Sequence, residues 1–182
     1  TNTTNVLGDF NVLNGMILDV YGDCYTISAT PVDYACYNKT SDGRGVWINV
    51  SGNITLEEGG IISGYNLGFH ASGPGYGVND GGTYGGKGMS SLTNPYGNAT
   101  APVSLGSGSA SSGGSAIKLE TTGIIDASGI INISGGYASY YASSGGSIWL
   151  KANNITGTGN LVAKGGSAGT TTYDGGGGGR IR

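Results

Sequence analysis

The sequence predicts an all-β chain: a parallel β-helix (β-solenoid) with glycine-rich loop insertions. Three observations carry that prediction. A phrase recurs: residues 113–136 read GGSAIKLETTGIIDASGIINISGG, and residues 145–166 read GGSIWLKANNITGTGNLVAKGG. No segment carries the i, i+3, i+4, i+7 apolar stripe of a helix, whereas short runs alternate apolar with polar residues. Glycine supplies 39 of the 182 residues, about three times its usual share of roughly 7 %. Self-similarity at a fixed period points to stacked units, none of which buries its apolar face alone.

Taken in chain order, residues 1–42 read as an N-terminal β region, a first coil or a cap. Within it, GMILDV at 15–20 reads as an early copy of the phrase, with Leu18 and Val20 inward. Residues 43–182 read as the glycine-rich solenoid. GVWINV at 45–50 puts Val46, Ile48 and Val50 on one face. In the later copies Ile117 and Leu119 alternate with Lys118 and Glu120, and Ile148, Leu150 and Ala152 with Trp149 and Lys151. The opening glycines at 15, 45, 114, 146 and 179 are spaced by 30, 69, 32 and 33 residues. The long step is two periods, or one period with an insertion at about 66–113. Each copy holds further short strands, as in NITLEE and NLVAKGG, joined at corners where glycine meets no steric penalty. GGGGGRIR at the C-terminus opens the phrase again and stops, which marks Arg182 as the expected meeting point of two subunits.

Composition narrows the classes. The four prolines and the lack of a Gly-X-Y period exclude collagen. Charged residues make up 10 % and hydrophobic ones 37 %, which is not the signature of disorder. The net charge of −3 and the thinly spread basic residues give no footprint for nucleic acid. No apolar run approaches the ~20 residues of a membrane span. The chain begins at Thr1 without a signal sequence, and reads as a mature or trimmed piece of something longer.

Two signs point to secretion. N-x-S/T sequons stand at Asn2, Asn38, Asn49, Asn53, Asn98, Asn132 and Asn154, seven where the composition of the chain gives roughly three. Asn49 and Asn132 lie between apolar neighbours and Asn53 just before Ile54, so each would point outward from its strand. Cys24 and Cys36 are the only cysteines and read as a disulfide, stabilising by about 3 kcal/mol in the chain-entropy model. Covalent glycans are the one non-protein component expected; no cofactor and no metal site is read.

The repeated phrase with its terminal GGGGGRI resembles a glycine-rich repeat of very large extracellular proteins of protists and bacteria. The resemblance covers residues 113–182 well and 43–64 loosely. It implies a β-solenoid in a cell-surface, cell-wall or appendage component, and implies no catalytic residues.

Catalytic chemistry is thin. The eleven acids are scattered, and the adjacent pair Glu57 and Glu58 faces opposite ways on a strand. His70 is the single histidine, and no GxSxG, HExxH or P-loop pattern occurs. The chain therefore reads as a non-enzyme. Tyr65, Tyr76, Tyr84, Tyr96, Tyr137, Tyr140, Tyr141 and Tyr173 fall in glycine-rich loops. They either pin those loops or form an interface or glycan-stacking surface. The expected function is a secreted, N-glycosylated structural protein that assembles with itself into an extracellular fibre, sheath or appendage. The alternative is a cell-surface adhesin or carbohydrate-binding stalk module.

Overall fold

The computed structural model describes residues 3–23, 43–169 and 174–182. Cys24, Cys36, Asn2, Asn38 and Tyr173 lie outside the described residues, and so does the expected disulfide. The chain is all-β, with thirteen short strands in three parallel sheets and no helix among the described residues.

The strands come in threes. β1 (Thr3–Val6), β2 (Phe10–Val12) and β3 (Ile17–Asp19) are followed by β4 (Val46–Val50), β5 (Ile54–Leu56) and β6 (Ile61–Ser63). After a long connection come β7 (Ala116–Thr121), β8 (Ile124–Ala127) and β9 (Ile130–Asn132), then β10 (Ser147–Lys151), β11 (Asn154–Thr156) and β12 (Asn160–Val162). β13 (Arg180–Ile181) stands alone. Sheet A is ordered β1-β4-β7-β10-β13, sheet B β11-β8-β5-β2 and sheet C β12-β9-β6-β3. The chain therefore visits sheets A, B and C in turn, and each circuit pairs in parallel with the one before it.

The register explains why alternation was visible. Ile54, Ile125 and Ile155 share one row, as do Ile62, Ile131 and Leu161, and Ile117, Ile148 and Ile181 another. These rows point inward to one apolar cluster drawn from all three sheets. Ile48, Leu119 and Leu150 are buried, while Asn49 and Lys151 beside them are exposed.

The expected early copy at 15–20 is corrected. Leu18 and Val20 do turn inward, but Ile17–Asp19 pairs with Ile61–Ser63 and is a third strand, not an opener. The first circuit opens at Thr3–Val6, paired with Trp47–Val50. That opener reads TTNV and holds one apolar residue, so it offers no alternation to read.

Residues 66–113 are an insertion within one circuit, since β6 pairs with β9 while β4 pairs with β7. They hold no strand, only an isolated bridge between His70 and Ser112. They nevertheless pack tightly against the later connections from sheet C back to sheet A. Gly82 N–H donates to Ala142 O (2.9 Å), Gly177 N–H to Gly82 O (2.8 Å), Gly86 N–H to Gly178 O (2.9 Å) and Ser144 N–H to Ser107 O (3.0 Å). The result is a second layer, built by glycine backbones lying against each other. A Cβ at Gly176 would strike the Ser143 carbonyl, and one at Gly177 the Gly86 carbonyl.

Candidate functional site: the outer face of sheet A

The side chains that alternate with the core rows of sheet A form two outward rows. Thr3, Trp47, Lys118 and Trp149 are consecutive ladder partners in the first. Strand pairing at about 4.8 Å per step puts an ammonium between two indoles. Lys118 Nζ lies 3.6 Å from the centroid of the Trp47 ring and 4.2 Å from that of Trp149. Lys118 is consequently only 6 % exposed, although it stands on the outer face. Cation–π contact desolvated to this degree is favourable by about 2 kcal/mol.

The second row runs Asn5, Asn49, Glu120, Lys151. Asn49 Nδ2 donates to Asn5 Oδ1 (3.2 Å), Lys118 Nζ to Glu120 Oε2 (2.6 Å) and Lys151 Nζ to Glu120 Oε1 (2.5 Å). One carboxylate thus joins both rows. The hydrogen bond from Lys118, then that from Lys151, holds the Glu120 carboxyl below its ordinary pKa. A groove of about 590 Å³ follows this row across β1, β4, β7 and β10, with Ser51, Thr122 and Asn153 along it. A smaller cavity of about 160 Å³ opens beside Trp47, lined by Val46, Val103 and Ile117. Trp47 Nε1 is buried there without an acceptor.

The sequons lie elsewhere as well as here. Asn49, Asn53, Asn98 and Asn154 are exposed and Asn132 is half-buried. Asn53 Oδ1 accepts from Ile124 N–H (2.9 Å), and Asn98 Oδ1 accepts from Thr100 N–H and Oγ1 (2.8 Å each).

The tyrosines divide. Tyr84 is fully buried, so it can stack on no glycan; its hydroxyl donates to Ser147 Oγ (2.6 Å) and its ring meets that of Tyr96 at 4.9 Å. Tyr96 Oη donates to Leu105 O (2.5 Å). These two pin the second layer. Tyr76 and Tyr141 are half-buried, whereas Tyr65, Tyr137 and Tyr140 are exposed. Tyr137 N–H donates to Tyr65 Oη (3.2 Å).

Several of the acids are occupied locally. Asp9 Oδ1 accepts from Asn53 N–H (2.7 Å), Glu57 Oε2 from Asn14 N–H (3.0 Å) and Asp126 Oδ1 from Ser128 Oγ (2.6 Å). His70 Nδ1 lies 2.9 Å from Ser112 Oγ. Among the described residues no three His, Cys, Asp or Glu side chains group as metal ligands, and no helix is long and apolar enough to cross a membrane. Sequence reasoning named Trp149, Lys118 and Glu120 as outward residues. It missed their assembly with Trp47, because register across the insertion is not written in any one segment.

No family model matches the chain, and no curated protein or solved structure is detectably similar to it.

Proposed function

We propose that this chain is a secreted, N-glycosylated structural protein, a parallel β-helix that stacks with copies of itself into an extracellular fibre, sheath or appendage. One observation carries the reading. The inward rows open to solvent at the last described circuit: Ile125 is 1 % and Ile148 0 % exposed, while their row-mates Ile155 and Ile181 are each 49 % exposed. β11 and β12 have a strand neighbour on one side only, and an unpaired strand edge is a template for another chain. At the opposite end Phe10 and Leu18 occupy the same inward rows as Ile155 and Leu161 and pack only partly. A further parallel circuit, which in this reading a second copy supplies, would continue both apolar rows.

The sequons supply the glycan part of the reading, and Cys24 with Cys36 the disulfide part. We assign no catalytic role: Asp9, Asp23, Glu57, Glu120 and Asp126 serve local hydrogen bonds. Light scattering and negative-stain electron microscopy of concentrated native protein test the assembly. Filaments or open-ended oligomers are expected, and a monodisperse monomer would overturn it. Loss of mass on treatment with a peptide-N-glycosidase tests the glycans separately.

A further inference from the structure

We propose that the groove along sheet A is a binding site for an extended, neutral saccharide chain lying parallel to the stacking axis. The groove crosses four strands, or three ladder steps of about 4.8 Å each. Its polar groups are the amides of Asn5, Asn49 and Asn153, the hydroxyl of Ser51, and the Glu120–Lys151 pair. Carboxamides both donate and accept, which suits hydroxyl groups that also do both. Of the charges that line the groove, Glu120 and Lys151 offset each other. The second ammonium on Glu120, that of Lys118, is covered by the Trp47 and Trp149 rings, so the groove itself favours neither a polyanion nor a cation. At the end of the row of polar groups lies the exposed side chain of Leu7, an apolar surface beside the amides. A sugar ring presents that combination, with hydroxyls at its rim and C–H bonds on its faces. An extended peptide is disfavoured, because β4, β7 and β10 are paired on both sides and offer no backbone groups for strand addition.

The site carries its own reporter. The two tryptophans of the chain are Trp47 and Trp149, and both lie against Lys118, which is hydrogen-bonded to Glu120. A ligand that engages Glu120 shifts Lys118 and is read through both indoles.

The test does not depend on the fibre reading. In this proposal Asn49 is a sequon that carries no glycan, since one there would fill the groove. The full chain is made in a host without N-glycosylation, and a glycan found on Asn49 of the native protein overturns the proposal. Tryptophan emission is titrated with neutral β-1,4- and α-1,4-linked hexasaccharides and with an anionic uronic-acid hexasaccharide. A saturable change with at least one neutral chain is expected. Asn49→Ala and Glu120→Gln should each weaken it about three- to tenfold. Lys151→Ala, at a side chain 60 % exposed, gives a variant with little risk to folding and should weaken it similarly. Tyr137→Ala and Tyr140→Ala should leave the affinity unchanged. No saturable change with any neutral chain up to about 10 mM overturns the proposal. Tighter binding of the anionic chain, or loss of binding only in the tyrosine variants, overturns it as well.

Discussion

The molecule contains two interiors made by opposite means. Inside the three sheets, isoleucine, leucine and valine rows exclude water by side-chain packing. In the layer over the sheet C to sheet A connections, glycine backbones approach until no Cβ fits, and most of the buried polar groups are serine hydroxyls. Ser107 N–H donates to Ser144 Oγ (2.8 Å), Ser109 N–H to Ser143 Oγ (3.0 Å), and Ser147 Oγ donates to Ser104 O (2.7 Å). The first interior tolerates changes of shape at the cost of a cavity. The second tolerates no added atom where glycine backbones touch, as at Gly176 and Gly177. Glycine is the residue of close approach, much as it is at the axis of collagen, although no triple helix is present here.

That contrast can be broken by experiment. Ile125→Ala should cost most, about 4 kcal/mol, because a row-centre residue leaves a cavity between its neighbours in the adjacent circuits. Equilibrium unfolding in denaturant measures it. Ile155→Ala lies in the same row at the open end and should cost about half as much in dilute solution; a cost equal to that of Ile125→Ala would mean that the end is covered. In the second layer, Gly176→Ala should destabilise by about 3 kcal/mol, since its Cβ meets the backbone of Ser143 and Ser144, which cannot swing away. Gly178→Ala, two residues on, meets nothing within 4 Å and should stay within about 0.5 kcal/mol of the parent. Equal effects at the two glycines would remove the close-approach argument.

Smaller effects sharpen the comparison. Tyr84→Phe removes one donor, while Ser147 keeps its own hydrogen bond to Ser104 O, so the loss should be about 1 kcal/mol by the same unfolding measurement. The last prediction concerns pH. Glu120 has a folded pKa lowered from 4.5 by Lys118 and Lys151. A lowered folded pKa contributes stability that is present above the unfolded value and lost as pH falls through the folded one. Stability should therefore hold from neutral pH to about 4.5 and decline below it, and Glu120→Gln should flatten that part of the decline. A profile unchanged by the substitution would show that the ion pairs contribute nothing.

The two interiors were not equally legible in the sequence. Period-two alternation at 46–50, 116–120 and 147–152 announced the inward rows, because in a strand burial follows phase. The opener Thr3–Val6 was hidden by its polar composition, and its place in sheet A comes only from pairing with β4. The glycine layer was hidden for a deeper reason. Backbone packing leaves no periodic apolar pattern to recognise, so residues 66–113 looked like a loop while containing Tyr84, Phe69 and Leu105, isolated in sequence and all fully buried. Of the outer face, phase was readable and register was not: Trp47 and Lys118 are neighbours across 71 residues of chain.

Two of the three corners are tight in every described circuit, as at 51–53 between β4 and β5 and at 128–129 between β8 and β9. The large length variation is gathered at the third, where residues 64–115 separate β6 from β7 and residues 133–146 separate β9 from β10. A flexible guest added at an exposed point there costs only about 0.6 kcal/mol of closure entropy for each doubling of its length and leaves every ladder partner in place. That corner is a natural insertion port. A guest segment grafted between Gly97 and Thr100, an exposed stretch of the long connection, would be displayed once per subunit without disturbing the register of the sheets.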